Sequence, residues 1–247
     1  MRSLLCGLAL IALGGPLAAQ APGHFPPDSL VNTKIFPHNT PVMQVVGAMR
    51  NFAGGLGVRC QFCHEGEEGQ PLGTFDFASD KKQHKLIARQ MMRMVEEINK
   101  RVDTLPGHAE GDPQVTCSTC HRGVNRPVPL SQLIVDAAQS STDSAVRAYR
   151  ALHQKYYGRD SYDFSENSLN TAAFRLARVN KFTEALAMLS LNEETFPAAS
   201  STAVVRGNVQ LMKGDTAAAA AAYREAIKRD STNGEARGRL RDIGQKP

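Results

Sequence analysis

The chain has 247 residues and a mass of 26.8 kDa, with 42% hydrophobic and 21% charged residues. That composition suits one large domain or two small ones and excludes bulk disorder, collagen-like structure and a multi-pass membrane protein. A net charge of +5 comes from scattered Lys and Arg, with 6% aromatics and no Trp, so the stacking platform and basic stripe of a nucleic-acid binder are missing and no nucleic acid is expected as a partner.

In chain order, the first segment reads as a secretory signal over residues 1–19. It has Arg2, an apolar run from Leu4 to Leu13, then Gly14, Gly15 and Pro16 before Ala18 and Ala19, which matches the charged start, apolar centre and small-residue cleavage site of such signals. The apolar run is too short to span a bilayer. Cys6 lies within it as apolar filler, and export to the periplasm, with membrane association left open, is the expected localisation. Residues 20–40 are rich in Pro, His and Asn without a helical period, and read as an extended arm.

From Pro41 to Ala53 the apolar residues Val42, Val45, Val46, Met49 and Phe52 recur at helical spacing, and Gly54, Gly55 and Gly57 follow. This predicts an amphipathic helix with Pro in its first turn, stopped by glycines. A second helix is predicted from Asp80, with Gln83 completing a capping box, to about Arg101. Its apolar face carries Ile87, Met91, Met94, Val95 and Ile98, and Lys100 and Arg101 suit its C-terminal dipole. Segments 103–116 and 123–130 read as loops.

Beyond about Asp136 the sequence becomes Ala-rich and helix-favouring, and an internal repeat appears. Asn180 to Leu186 aligns with Gly214 to Ala220 at an offset of 34 residues, the tetratricopeptide period. Ala219, Tyr223, Ala226 and Ile227 follow the small-and-large packing pattern of that repeat, and Pro197 ends the first copy. With flanking helices at Ser144–Tyr157 and Gly234–Ile243, residues 136–247 are expected to form a tetratricopeptide-like stack that docks a partner protein.

The chemistry is concentrated in two identical motifs, Cys60-Gln61-Phe62-Cys63-His64 and Cys117-Ser118-Thr119-Cys120-His121. In a helical turn, thiols at i and i+3 face one side and can add to the two vinyl groups of a haem, while the adjacent imidazole reaches the iron. Structural zinc or disulfides would use the same four thiols but leave both His unexplained. With 7 His in the chain, their coincidence behind both pairs has a chance of about one in a thousand from composition. Two covalently bound haem c groups are therefore the expected cofactors, with Cys60, Cys63, Cys117 and Cys120 as thioether positions and His64 and His121 as axial ligands. A filled sixth position gives electron transfer and an open one gives ligand or peroxide chemistry. Met49, Met91 and Met94 lie on apolar helix faces and are candidates for it, though Met on such a face is often core filler. His84 and His108 compete at the second haem.

Over Val45–Pro129 these residues resemble the haem-binding domain of the photosynthetic reaction-centre cytochrome c subunit family. The resemblance rests on the Met-bearing helix before Cys60–His64, on Phe77-Ala78-Ser79-Asp80, on Ala88-Arg89-Gln90-Met91, on Val115–Gly123 and on Pro127-Val128-Pro129. It implies that Met49 ligates the first haem with His64, and Met91 the second with His121. It also places His108 near a family His that ligates a more distant haem. Family members that serve reaction centres typically carry four haems in two pairs, so this chain resembles one half of the subunit.

The expected fold class is all-α: a dihaem cytochrome c domain over 41–135 and the helical repeat domain over 136–247. The expected function is single-electron relay without enzymatic turnover, with a photosynthetic reaction centre or another membrane electron-transfer complex as redox partner. The alternatives are a dihaem peroxidase-type enzyme with one open iron and a zinc-stabilised interaction protein.

Overall fold

The structure is a computed structural model and describes residues 23–246; the signal segment with Cys6 lies outside the described residues. The fold is all-α. Among the described residues ten α-helices follow one another: α1 Val42–Leu56, α2 Gln83–Val102, α3 Cys117–His121, α4 Leu130–Ala137, α5 Thr142–Tyr156, α6 Glu166–Ala177, α7 Phe182–Thr195, α8 Ser200–Lys213, α9 Thr216–Arg229 and α10 Gly234–Asp242. Extended pairing among the described residues is limited to an isolated bridge between Glu65 and Asp76.

The chain forms two compact units. One comprises the described residues up to Ala53 with Arg59–Gln114; the other comprises Gly54–Val58 with the residues from Val115 onward. The second Cys-x-x-Cys-His motif thus groups with the C-terminal helices, whereas the change in composition falls near Asp136.

In the first unit, α2 starts at Gln83 rather than Asp80, behind Lys82 in extended conformation. Asp80 does not cap it. Its carboxylate instead meets Lys85 Nζ at 3.1 Å and Arg89 Nη1 at 2.9 Å, both from the first two turns of α2. Among the apolar side chains of this unit only Val45 is buried. Ile87 and Met94 on the apolar face of α2 are 55% and 44% exposed, and the most enclosed residue of that helix is a cation, Lys85.

The second unit has an orthodox apolar interior. Leu130, Ile134, Tyr149, Leu169, Leu176, Met188, Leu189 and Val209 form one cluster across α4–α8, and Val204, Ala219, Tyr223, Ala226 and Leu240 form another across α8–α10. Helices α6, α8 and α10 begin 34 residues apart at Glu166, Ser200 and Gly234, and α7 and α9 are each 14 residues long at the same offset. The tight turns share that register too: Asn180 with φ +60° and Gly214 with φ +91° both take the left-handed conformation, which Gly and Asn tolerate best. Gly207 in α8 exists for packing, since a Cβ there would lie 2.3 Å from the Tyr223 ring. Between the helix pairs, the buried Asn192 Nδ2 donates to Glu166 O, Asn170 Oδ1 and Thr202 Oγ1 at 2.8–3.1 Å.

The last residues of α1 belong to this second unit. The glycines at 54 and 55 do not stop the helix as periodicity suggests; it runs on to Leu56 and turns at Gly57, φ +65°. A Cβ on Gly55 would lie 2.9 Å from Ser118 Oγ and 3.3 Å from Cys117 Cβ, and one on Gly57 would overlap Gly123 O at 2.0 Å. These glycines let the helix end lie directly against the second motif.

Candidate haem sites

At the first motif, residues Cys60–Phe62 form a 3-10 turn, and the amides of Cys63 and His64 both donate to Cys60 O, at 3.2 and 2.9 Å. The turn is what brings residues three apart to one side. Both thiols are free and half-buried. Burial pushes the Cys63 thiol up, opposed by the charge of Lys82. Burial, with the positive charge of Lys85, holds the His64 imidazole down to about 4, so the ring is neutral near pH 7, the form that binds a metal. Its Nδ1 is buried without a hydrogen-bond partner, and the Phe77 ring meets it edge-on with centroids 5.0 Å apart. Met49 belongs to the same unit and is half-buried on α1.

A polar brace holds the segment that carries Phe77. Lys85 Nζ donates to the carbonyls of Phe77, Ala78 and Ser79 at 2.9, 3.1 and 2.7 Å. Arg89 adds a bond to Asn32 O at 3.0 Å, and Asn32 Nδ2 donates to Ala78 O at 2.7 Å. Lys82 Nζ donates to Gln61 O, inside the motif, at 2.5 Å. The sequence marks Phe77–Ser79 and Arg89 through the family resemblance and Asp80 as a helix cap, and does not single out Asn32, Lys82 or Lys85. The available signal was a run of cations at the start of an amphipathic helix, on positions where a solvated face is the ordinary reading.

At the second motif, α3 opens with the Thr116 amide donating to Thr119 Oγ1 at 3.0 Å, half of a capping box. It closes at Arg122 in left-handed conformation, φ +49°, followed by Gly123 at φ +82°. The reversed chain is pinned by Gly123 N donating to Gly55 O at 2.8 Å and Ser161 Oγ donating to Arg122 O at 2.7 Å. This turn returns the Val124 carbonyl to His121, which donates from Nδ1 at 2.9 Å. A carbonyl only accepts, so Nδ1 carries a proton and Nε2 is the ring nitrogen left to face a metal, the arrangement by which proteins orient a metal-ligating His. Burial pushes the Cys117 thiol up, and Cys120 is exposed.

The other candidates separate clearly. Met91 lies half-buried on α2 of the first unit, while Met94 is more exposed. His84 stacks on Phe62 of the first motif, centroids 4.0 Å apart, which associates it with that motif. His108 is held between carboxylates, with Nε2 3.3 Å from Asp103 and Nδ1 3.5 Å from Asp112; both ring nitrogens are engaged. Among the described residues no three His, Cys, Asp or Glu side chains converge as a metal cage.

Free thiol pairs on single turns, each followed by an imidazole that is neutral by burial or oriented by a carbonyl, fit a covalently tethered haem. The half-exposed apolar side chains of α1 and α2, among them Met49, Ile87 and Met91, leave apolar surface that an apolar macrocycle would cover. These are the features of a c-type cytochrome. A family model described as photosynthetic reaction centre cytochrome C subunit matches residues 42–168, and the chain belongs to that family. It is 30% identical over 117 residues to the photosynthetic reaction center cytochrome c subunit of Rubrivivax gelatinosus, covering 41% of this chain and 30% of that protein. It is 32% identical over 99 residues to the subunit of the same name from Thermochromatium tepidum, covering 36% of this chain and 23% of that one. Cytochrome c-554 of Chloroflexus aurantiacus is 36% identical over 69 residues, 28% of this chain and 14% of that protein. The chain thus spans less than a third of the length of each of these relatives. Membership makes it a c-type cytochrome with covalently bound haem c.

Proposed function

We propose that this chain is an exported dihaem c-type cytochrome that relays single electrons and performs no catalytic turnover of its own. The observation that carries this reading is the repeated motif, each copy on a tight turn with a binding-competent imidazole. When bound, each haem supplies one-electron exchange between ferric and ferrous iron. The chain's part is to tether and tune. Cys60 and Cys63 would hold one haem through their thiols, and Cys117 and Cys120 the other. His64 and His121 would each supply an imidazole to an iron. Val124 O keeps the His121 ring turned with Nε2 available. Met49 and Met91 would supply the second ligands, as the family resemblance implies, and a thioether ligand would exclude exogenous ligands and raise the potential. Export agrees with the signal-like residues 1–19 and with haem attachment outside the cytoplasm.

The redox partner is a photosynthetic reaction centre or another membrane electron-transfer complex. Two of the relatives are named as subunits of the former. The C-terminal helices are read as tetratricopeptide repeats that dock a partner protein. The 34-residue register of helix starts, the left-handed turns at Asn180 and Gly214, and the Gly207–Tyr223 packing support this, as does Ala219 four residues before an aromatic.

The test is a haem count on the matured chain followed by reduced spectra with and without carbon monoxide. Two haems per chain and bands unmoved by the gas are expected. A Soret shift would replace this reading with an open-iron, peroxidase-type enzyme, and absence of haem would end it.

A further inference from the structure

We propose that the cations Lys82, Lys85 and Arg89 of the α2 region set the reduction potential of the haem bound at Cys60–His64, holding it high, with Asp80 as the counterweight. This rests on the dihaem reading above and adds which residues tune one of the two irons.

The argument begins with placement. Lys85 and Arg89 have side chains only 11% and 15% exposed, which is unusual for cations. Lys85 is one residue removed from the axial imidazole: its Nζ binds the Phe77 carbonyl at 2.9 Å and the Phe77 ring packs on His64. Lys82 binds Gln61 O within the motif itself. The nearby anions are Asp80, shared by Lys85 and Arg89; Glu65, paired with Lys81 at 3.5 Å; and Asp76, exposed and bound by the amides of Ala78 and Ser79. Lys81 and Asp76 face water, where their fields are screened. What remains is three cations, Lys82, Lys85 and Arg89, against two carboxylates, Asp80 and Glu65, that are 38% and 30% exposed, an excess of one positive charge beside the motif.

Such an excess has a sign. Oxidation of the iron adds a positive charge, and neighbouring cations oppose it in proportion to proximity and low local dielectric. The reduced state is favoured and the potential rises. Hydrogen bonding and charge are combined in Lys85, whose three N–H donors match the 77–79 carbonyls where a side-chain amide would supply two. The same brace also positions Phe77 against His64, so its electrostatic and structural roles must be separated by experiment.

Potentiometric titration followed spectroscopically on the full, haem-loaded chain separates them, because charge effects invert with the sign of the residue removed and packing effects do not. Lys85→Gln is expected to lower one of the two midpoints by about a factor of ten in the one-electron equilibrium, which is 59 mV, and to leave the other unmoved. Asp80→Asn is expected to raise that same midpoint. Lys82→Gln, which removes a single, part-buried contact to the motif, lowers it by a smaller factor and carries the test should Lys85→Gln fail to load haem. Unmoved midpoints in these variants, or Lys and Asp variants that shift in the same direction, overturn the proposal. A wild-type haem count other than two overturns the dihaem reading instead, so the two failures are distinguishable.

Discussion

Removing the thioether positions of the first motif, as in Cys60→Ala/Cys63→Ala, should unfold the first unit and leave the second standing. The magnitude follows from burial. The 15 residues of α1 and 20 of α2 are near the length at which an isolated helix is marginal in water, so tertiary packing must hold them. Yet Val45 is the only buried apolar side chain of this unit. Six others, Val46, Met49, Phe52, Ile87, Val95 and Ile98, face outward or half-outward. Covering each contributes about 1.5–3 kcal/mol, together roughly 10–20 kcal/mol as an upper bound, which is comparable to the whole stability of a domain at about 5–15 kcal/mol. By contrast, Leu169, Leu176, Met188 and Leu189 of the second unit are already enclosed by other side chains. The assay is far-UV circular dichroism with limited proteolysis. About a quarter of the helical signal should disappear, the share of α1 and α2 among the ten helices, with cleavage concentrated between Arg59 and Gln114. Full helicity and unchanged protease resistance of that unit without haem would refute the reasoning.

Met49→Ala should open one iron, seen as carbon monoxide binding to about half of the haem, while thermal stability of the second unit stays the same. Gly57→Ala should destabilise the second unit by about 1–3 kcal/mol, the typical cost of backbone strain, because the residue holds φ +65° and its Cβ would overlap Gly123 O; a lower thermal midpoint is the readout. Acid unfolding should depend on Asp80, whose carboxyl is held well below the usual carboxylate range by Arg89 and then Asn32. A depressed folded-state value means that the unfolded chain binds the proton first, so this contribution is complete above about pH 4, where an unfolded Asp titrates, and is lost as pH falls further. Asp80→Asn should flatten that acid limb in a denaturation series between about pH 4 and 2; an unchanged limb would count against the brace.

The sequence and the structure agree most where the cause is local. Helix α1, the basic end of α2 and the helices from α5 to α10 follow from side-chain period and turn chemistry within a few residues of each position. They part where a distant group competes. Asp80 reads as a helix cap in isolation, but Lys85 and Arg89 draw its carboxylate away. Gly54 and Gly55 read as a helix stop, but Gly55 is needed inside the helix for contact with Ser118 and Cys117.

By itself the sequence marked the two candidate attachment motifs and the 34-residue period of the C-terminal helices. Two thiols three residues apart with an adjacent imidazole are a covalent and short-range specification, and a period of 34 residues is visible in the letters. Only the tertiary structure decided which charges surround the first motif, that both nitrogens of His108 are engaged by Asp103 and Asp112, and that the Val124 carbonyl orients His121. The reason is that burial and electrostatic pairing depend on what the folded chain brings alongside. Lys85 in a sequence is a solvated cation; against the carbonyls of Phe77, Ala78 and Ser79 it is a buried charge behind the ring that packs on His64.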